Sequence, residues 1–244
     1  MKHACSIKYL CYNLAMTITI EEMEQYRTTL SIERLSSFVQ SENDTLDCIL
    51  ERYKNNIRIS QALYPELSIL EITLRNSINS TLCNEISKTW LEDEVWQQKI
   101  LADQEYTKLL RAYNDTKAEC KSKNFTIGKV IANLNFGFWT GLCSKRYSTK
   151  IWHKKECFRG VFVNCPKGAQ QINVLSKKLT SIRKLRNRIF HYEPILTKSL
   201  LNKYDEILEV LSYLPQGNIS ILKDTSNFLS VYNKISKDLY KAKT

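Results

Sequence analysis

Arg186, Asn187 and His191 are the residues of this chain whose types and spacing suit chemistry on a phosphodiester. They stand in "KLRNRIFHYEP", from Lys184 to Pro194. An imidazole titrates near neutrality and can take up or deliver a proton in a transition state. A guanidinium is permanently charged and offers several donors to the oxygens of a phosphorane. An adjacent amide can hold a phosphate oxygen or orient the imidazole. Such a set can drive attack of a ribose 2′-hydroxyl on its own phosphodiester without a metal, and no metal ligand set or cofactor is expected.

These residues must be positioned by a helix. At 100° per residue, Leu175, Leu179, Ile182, Leu185, Ile189 and Tyr192 fall on one apolar stripe, with Arg186 projecting from within its span. Asn187 and His191, four apart, share the opposite face with Arg183. An earlier helix has the stripe Leu67, Leu70, Leu74, Ile78 and Leu82, and Glu71 projects from within that one. A charge aimed at apolar surroundings is costly unless paired or lining a cleft, so the pattern predicts a Glu71–Arg186 ion pair, a cleft, or both. Arg186 and His191 are five residues apart and point ~140° away from each other on an ideal helix. One helix therefore does not assemble the site unaided, and a two-fold dimer that sets two such helices side by side is one way to complete it.

The rest of the chain reads as helical too. Six Gly and four Pro in 244 residues are too few for turn-rich β architecture, and 43% apolar residues with 10% aromatics suffice for a core. Helices are expected near 31–40, 44–64, 66–90, 93–120, 126–143, 170–193, 199–213 and 223–241, with breaks at Pro65, around "CPKG", at Pro194 and at "PQGN". The segment "FRGVFVNC" (Phe158 to Cys165) is expected as a short strand or an extended loop. Residues 1–15 are expected to be a weakly ordered extension and residues 16–244 a single domain. The first residues lack the uninterrupted apolar run and cleavage site of an export signal, and no run approaches the ~20 apolar residues of a membrane span, so a cytoplasmic protein without membrane contact is expected.

A formal charge of +11 points to a polyanionic partner, with nucleic acid foremost. The segment "FGFWTGLCSKRYSTKIWHKK" interleaves Phe136, Phe138, Trp139, Tyr147 and Trp152 with Lys145, Arg146, Lys150, Lys154 and Lys155. The basic residues, together with Arg183 and Arg188, are candidate RNA contacts. The aromatics serve either as stacking platforms or as core. Cys143, His153, Cys157 and Cys165 have the side-chain types of a zinc site but lack a C-x-x-C knuckle, so ordinary buried thiols are expected.

Arg186 and His191 make an R-x4-H motif with Asn directly after the Arg, which resembles the HEPN superfamily of helical ribonucleases. In order along the chain come "LSILEITLRNSIN", "LNFGFWTGLCSKRY" and "LRNRIFHYEP". Together they resemble the Abi-like AbiD/AbiF family of bacterial abortive-infection proteins over roughly Ile18 to Tyr213. The resemblance implies an all-α, HEPN-like helical bundle with additional helices, a homodimer, and a toxic endoribonuclease in antiphage defence, sometimes restrained by a regulatory non-coding RNA. Arg186, Asn187 and His191 match the motif; Tyr192 stands where many members carry a second His. The alternative is a non-catalytic RNA-binding or regulatory HEPN module in which Arg186 serves only the ion pair with Glu71.

Overall fold

The computed structural model describes residues 25–26, 28–120 and 124–241. The proposed N-terminal extension, residues 1–15, lies outside them. The fold is all-α, and among the described residues there is no strand. The α-helices are α1 (Ile32–Ser36), α2 (Leu46–Glu85), α3 (Glu94–Ile100), α4 (Asp103–Glu119), α5 (Ile127–Asn133) and α6 (Phe136–Leu142). They continue with α7 (Lys155–Val161), α8 (Ile172–Phe190), α9 (Leu200–Tyr213), α10 (Ser220–Thr225) and α11 (Phe228–Lys241). Among the described residues no helix is long and apolar enough to cross a membrane.

Several boundaries differ from expectation, each for a physical reason. Pro65 does not end a helix: α2 runs through it for 40 residues. Proline costs an interior helix about 3 kcal/mol, because its ring clashes with the preceding turn and it lacks the N–H that the carbonyl of Gln61 would accept. Full burial of Leu63, Leu70 and Leu74, with Leu67 nearly so, offsets that cost from both sides of the proline. The expected helix at 93–120 breaks after Ile100, where Leu101 and Ala102 are extended. The one at 126–143 breaks at Asn135, whose side chain caps α6 by accepting from the Phe138 amide at 3.0 Å. "FRGVFVNC" is neither strand nor extended loop. Its first half is the end of α7, with Phe158, Val161 and Phe162 buried on one side, a spacing of three and four that suits a helix.

The chain forms two compact units and crosses between them at Tyr64/Pro65, Arg186/Asn187, Leu200/Leu201 and Ser226/Asn227. The unit holding the described chain up to Tyr64, Asn187–Leu200 and the chain from Asn227 has a core of Leu35, Phe38, Leu46, Ile49 and Leu50, flanked by Tyr26, Leu30, Val39 and Tyr53. Phe38 and Tyr53 meet edge to face with centroids 5.2 Å apart. The turn into α2 is closed by Asp44, which accepts the Gln40 and Ser41 amides at 2.6 and 2.9 Å and pairs with Arg52. The hydrogen-bonded Arg52 guanidinium, helped by those amides, holds the Asp44 carboxyl down at about 2. Its contribution to stability is therefore complete above the ordinary carboxylate range and is lost as pH falls through about 2.

The unit formed by Pro65–Arg186 and Leu201–Ser226 is built on the two stripes anticipated above. Leu67, Leu70, Leu74, Ile78 and Leu82 of α2 are buried, as are Leu175, Leu179, Ile182 and Leu185 of α8. Trp90 sits in an aromatic cluster, with ring centroids 6.5 Å from Phe138, 6.3 Å from Trp139 and 5.6 Å from Trp96. Two glycines allow close approach of elements. A Cβ on Gly141 would lie 2.6 Å from Glu105 Oε1, and one on Gly160 would lie 2.7 Å from Thr81 Oγ1. Glu105 is buried and accepts from the Tyr147 hydroxyl at 2.8 Å. It is also within 3.7 Å of Lys108 and of Arg146. α8 and α9 are joined by Lys178–Glu209 and by the Ser181 hydroxyl donating to Glu206 at 2.6 Å.

Candidate functional site

The helix α8 carries the motif to its C-terminal end. Its buried stripe orients the remaining faces, and Arg186 comes off the edge of that stripe. Arg186 Nε lies 3.4 Å from Glu71 Oε2, so the expected ion pair is present. The two side chains are 25% and 23% exposed, hence half-buried at the rim of the core. Arg186 is the last residue of its unit and Asn187 the first of the other, on one unbroken helix.

In the unit that begins again at Asn187, Asn187 and His191 are both exposed, and the His191 amide donates to the Asn187 carbonyl at 2.9 Å as the last α-helical hydrogen bond. The helix ends there, ahead of Pro194 rather than because of it. Tyr192 has φ 58°, the left-handed conformation. Its amide donates to the Ile189 carbonyl at 3.0 Å, and the Glu193 amide donates to the Arg188 carbonyl at 2.9 Å. This pair of crossed bonds is a Schellman closure, with His191 as the C-cap and Tyr192 in the place usually given to glycine. Tyr192 therefore leaves the apolar stripe assigned to it and is 68% exposed.

The segment that follows the helix is held from three sides. Arg34 Nη1 donates to the carbonyls of His191 and Tyr192, both at 3.0 Å. The buried Asn56 side chain donates to the Glu193 carbonyl at 3.1 Å and accepts the Ile195 amide at 2.8 Å. Arg188 Nε lies 3.3 Å from Glu193 Oε2, and the same guanidinium donates to the Pro194 carbonyl. His191 thus has a backbone fixed by neighbours and an imidazole open to solvent. A small cavity of about 70 Å³ lies behind this segment, lined by Phe38, Arg52, Asn55, Asn56, Pro194 and Leu196 among others.

A left-handed conformation costs a residue with a side chain about 1–2 kcal/mol, while glycine brings back part of that as extra freedom in the unfolded chain. Tyr192→Gly is therefore expected to stabilise the protein by about 0.5–1 kcal/mol, since an exposed ring loses little packing. A higher urea midpoint at unchanged slope is the expected readout. A lower midpoint would mean that the tyrosine side chain, and not its backbone conformation, matters here.

The basic and aromatic segment divides cleanly. Phe136, Phe138, Trp139, Tyr147 and Trp152 are all buried, so they are core and not stacking platforms. Burial also pushes the Tyr147 hydroxyl well above its ordinary titration range. Lys145, Arg146, Lys150, Lys154 and Lys155 are exposed, yet several already have structural work. Lys150 donates to the carbonyls of Lys99 and Ile100 at 3.3 and 3.1 Å, and Lys154 to that of Glu85 at 3.1 Å, closing the ends of α3 and α2. Arg183 lies across Gly137 of α6, with Nη1 3.5 Å from where a Cβ would stand. Cys143, Cys157 and Cys165 are buried thiols, pushed upward in titration by burial. Among the described residues no group of three or more potential metal ligands gathers.

Sequence reasoning missed Arg34 and Asn56. They lie 157 and 135 residues before His191, and no local pattern links them to it. No family model, no curated protein and no solved structure matches the chain.

Proposed function

We propose that the protein is a metal-independent endoribonuclease of the Abi-like, HEPN type, a homodimeric cytoplasmic toxin of antiphage defence. The observation that carries the reading is the end of α8, where Asn187 and His191 are exposed together on a backbone pinned by Arg34 and Asn56, directly after an Arg186 anchored by Glu71. A net charge of +11 supplies long-range attraction for a polyanion.

In this mechanism the His191 imidazole accepts the proton of the ribose 2′-hydroxyl, and the 2′-oxygen attacks the adjacent phosphorus. Arg186 and Asn187 hold the non-bridging oxygens as negative charge grows on the phosphorane. The P–O5′ bond then breaks, and the departing 5′-oxygen takes a proton from the imidazolium of a second copy. Products are a 2′,3′-cyclic phosphate and a 5′-hydroxyl, with no oxidant, reductant or metal in the balance. Because the nucleophile belongs to the substrate, RNA carrying 2′-O-methyl groups and DNA of the same sequence are expected to resist cleavage. Cutting of either at the rate of unmodified RNA contradicts the mechanism.

One observation favours a second reading. The Glu71–Arg186 pair at 3.4 Å occupies the guanidinium without any RNA. A non-catalytic RNA-binding HEPN module needs nothing more from Arg186. It binds RNA and cleaves none.

A further inference from the structure

We propose that Arg34 is the positioning residue of His191, an assignment that rests on the ribonuclease reading for its catalytic consequence but not for its geometry. The only two non-glycine residues with positive φ among the described ones are Ser31, at 62°, and Tyr192, at 58°. They stand at the two ends of a single contact. Ser31 is the N-cap of α1, with ψ 150°, a backbone region that side chains strongly disfavour, and its hydroxyl accepts the Arg34 amide at 3.3 Å. Tyr192 is the left-handed residue whose carbonyl, with that of His191, accepts from Arg34 Nη1. Backbone held in such conformations on both sides of one guanidinium persists only where the surroundings over-determine it.

The two carbonyls that Arg34 engages lie past the last turn, where no helical N–H reaches them. A fixed cation there satisfies both and opposes the negative end of the α8 dipole. The helix end is thus closed by its own crossed amide bonds and by a side chain from α1. The direction in which Cβ of His191 leaves the backbone is set by this closure, because His191 is the C-cap. Asn56 and Arg188 hold the chain farther on, at Glu193, Pro194 and Ile195. Of the three, Arg34 alone contacts His191 itself.

The chain has three histidines, His3, His153 and His191, so imidazole resonances are few and the His191→Gln spectrum identifies the third. In Arg34→Ala the His191 ring resonance is expected to shift and broaden while that of His153 stays in place. Amide exchange of Tyr192 and Glu193 is expected to quicken about tenfold or more, with exchange in α9 unchanged. On RNA, kcat is expected to fall about tenfold with KM within twofold, and Arg34→Lys to recover part of it, since an ammonium also donates to carbonyls. Should Arg34→Ala fail to fold, Arg34→Gln keeps most of the side chain with one donor group and serves the same readouts. The exchange and ring measurements need no RNA, so they decide the positioning even where the wild-type chain cleaves nothing. Unchanged exchange at Tyr192 and Glu193 with an unmoved ring resonance overturns the proposal, and so does faster exchange with kcat left at the wild-type value.

Discussion

His191→Ala is expected to lower the rate of RNA cleavage by about 10²- to 10⁴-fold while leaving the urea midpoint within error of wild type. The two halves of this expectation come from different properties of one residue. The imidazole is exposed at the end of α8, so its removal opens no cavity and strands no buried partner. What holds the segment in place is the main chain of His191, whose carbonyl accepts from Arg34 and whose amide donates to Asn187. Alanine keeps both. A side chain that costs nothing to delete but whose loss stops the chemistry is acting on substrate. In cells, induction of the wild type is expected to slow growth, and the same variant to relieve this. Equal cleavage by His191→Ala and wild type at equal concentration would remove the imidazole from the mechanism.

Arg186→Ala is expected to lose cleavage and also to lose stability, and the double variant separates the two effects. Arg186 leaves behind a half-buried Glu71 carboxylate at the rim of the α2 and α8 stripes, and breaking a pair between the surface and the buried case from one side costs about 1–3 kcal/mol. Glu71→Gln combined with Arg186→Met removes both charges and keeps the shape of both side chains. The double variant should therefore recover most of the lost stability, because no unpaired charge remains. It should recover no cleavage, since methionine carries nothing to the phosphorane. Restored folding together with restored cleavage would make Arg186 a structural partner of Glu71 only. Attention would then pass to Arg183, which lies across Gly137, or to Arg188, which pairs with Glu193.

The parts of this fold that were legible in the sequence are those that repeat. The stripe of α2 and, as far as Leu185, that of α8 are buried as the 3.6-residue period requires, and the two charges breaking those stripes meet each other. Periodicity encodes which face meets the core, so a charge within a stripe narrows its own surroundings. Non-repeating features were not legible. Pro65 lies inside a helix because burial on both sides outweighs a local preference that a short window sees alone. Tyr192 was placed on the apolar stripe by extending the period one residue past the point where the chain turns left-handed. Lys150 and Lys154 were expected only as RNA contacts, and nothing in their spacing showed that both close helix ends that lie dozens of residues away. Arg34 and Asn56 reach the candidate site through bonds that span well over a hundred residues, and such pairings leave no trace in local spacing.

The measurement that bears most directly on the ribonuclease assignment is the end chemistry of cleaved RNA in EDTA. Purified wild-type protein, with His191→Ala beside it, is incubated with a labelled RNA in excess chelator, and the fragments are tested for kinase labelling at the 5′ end and for phosphatase resistance at the 3′ end. The predicted result is cleavage by the wild type alone, giving 5′ ends that accept phosphate directly and 3′ ends closed as 2′,3′-cyclic phosphates. Cleavage that stops in EDTA, fragments bearing 5′-phosphates, or equal fragments from His191→Ala would contradict the proposed attack by the RNA's own 2′-oxygen with Arg186, Asn187 and His191 as the proposed catalytic groups.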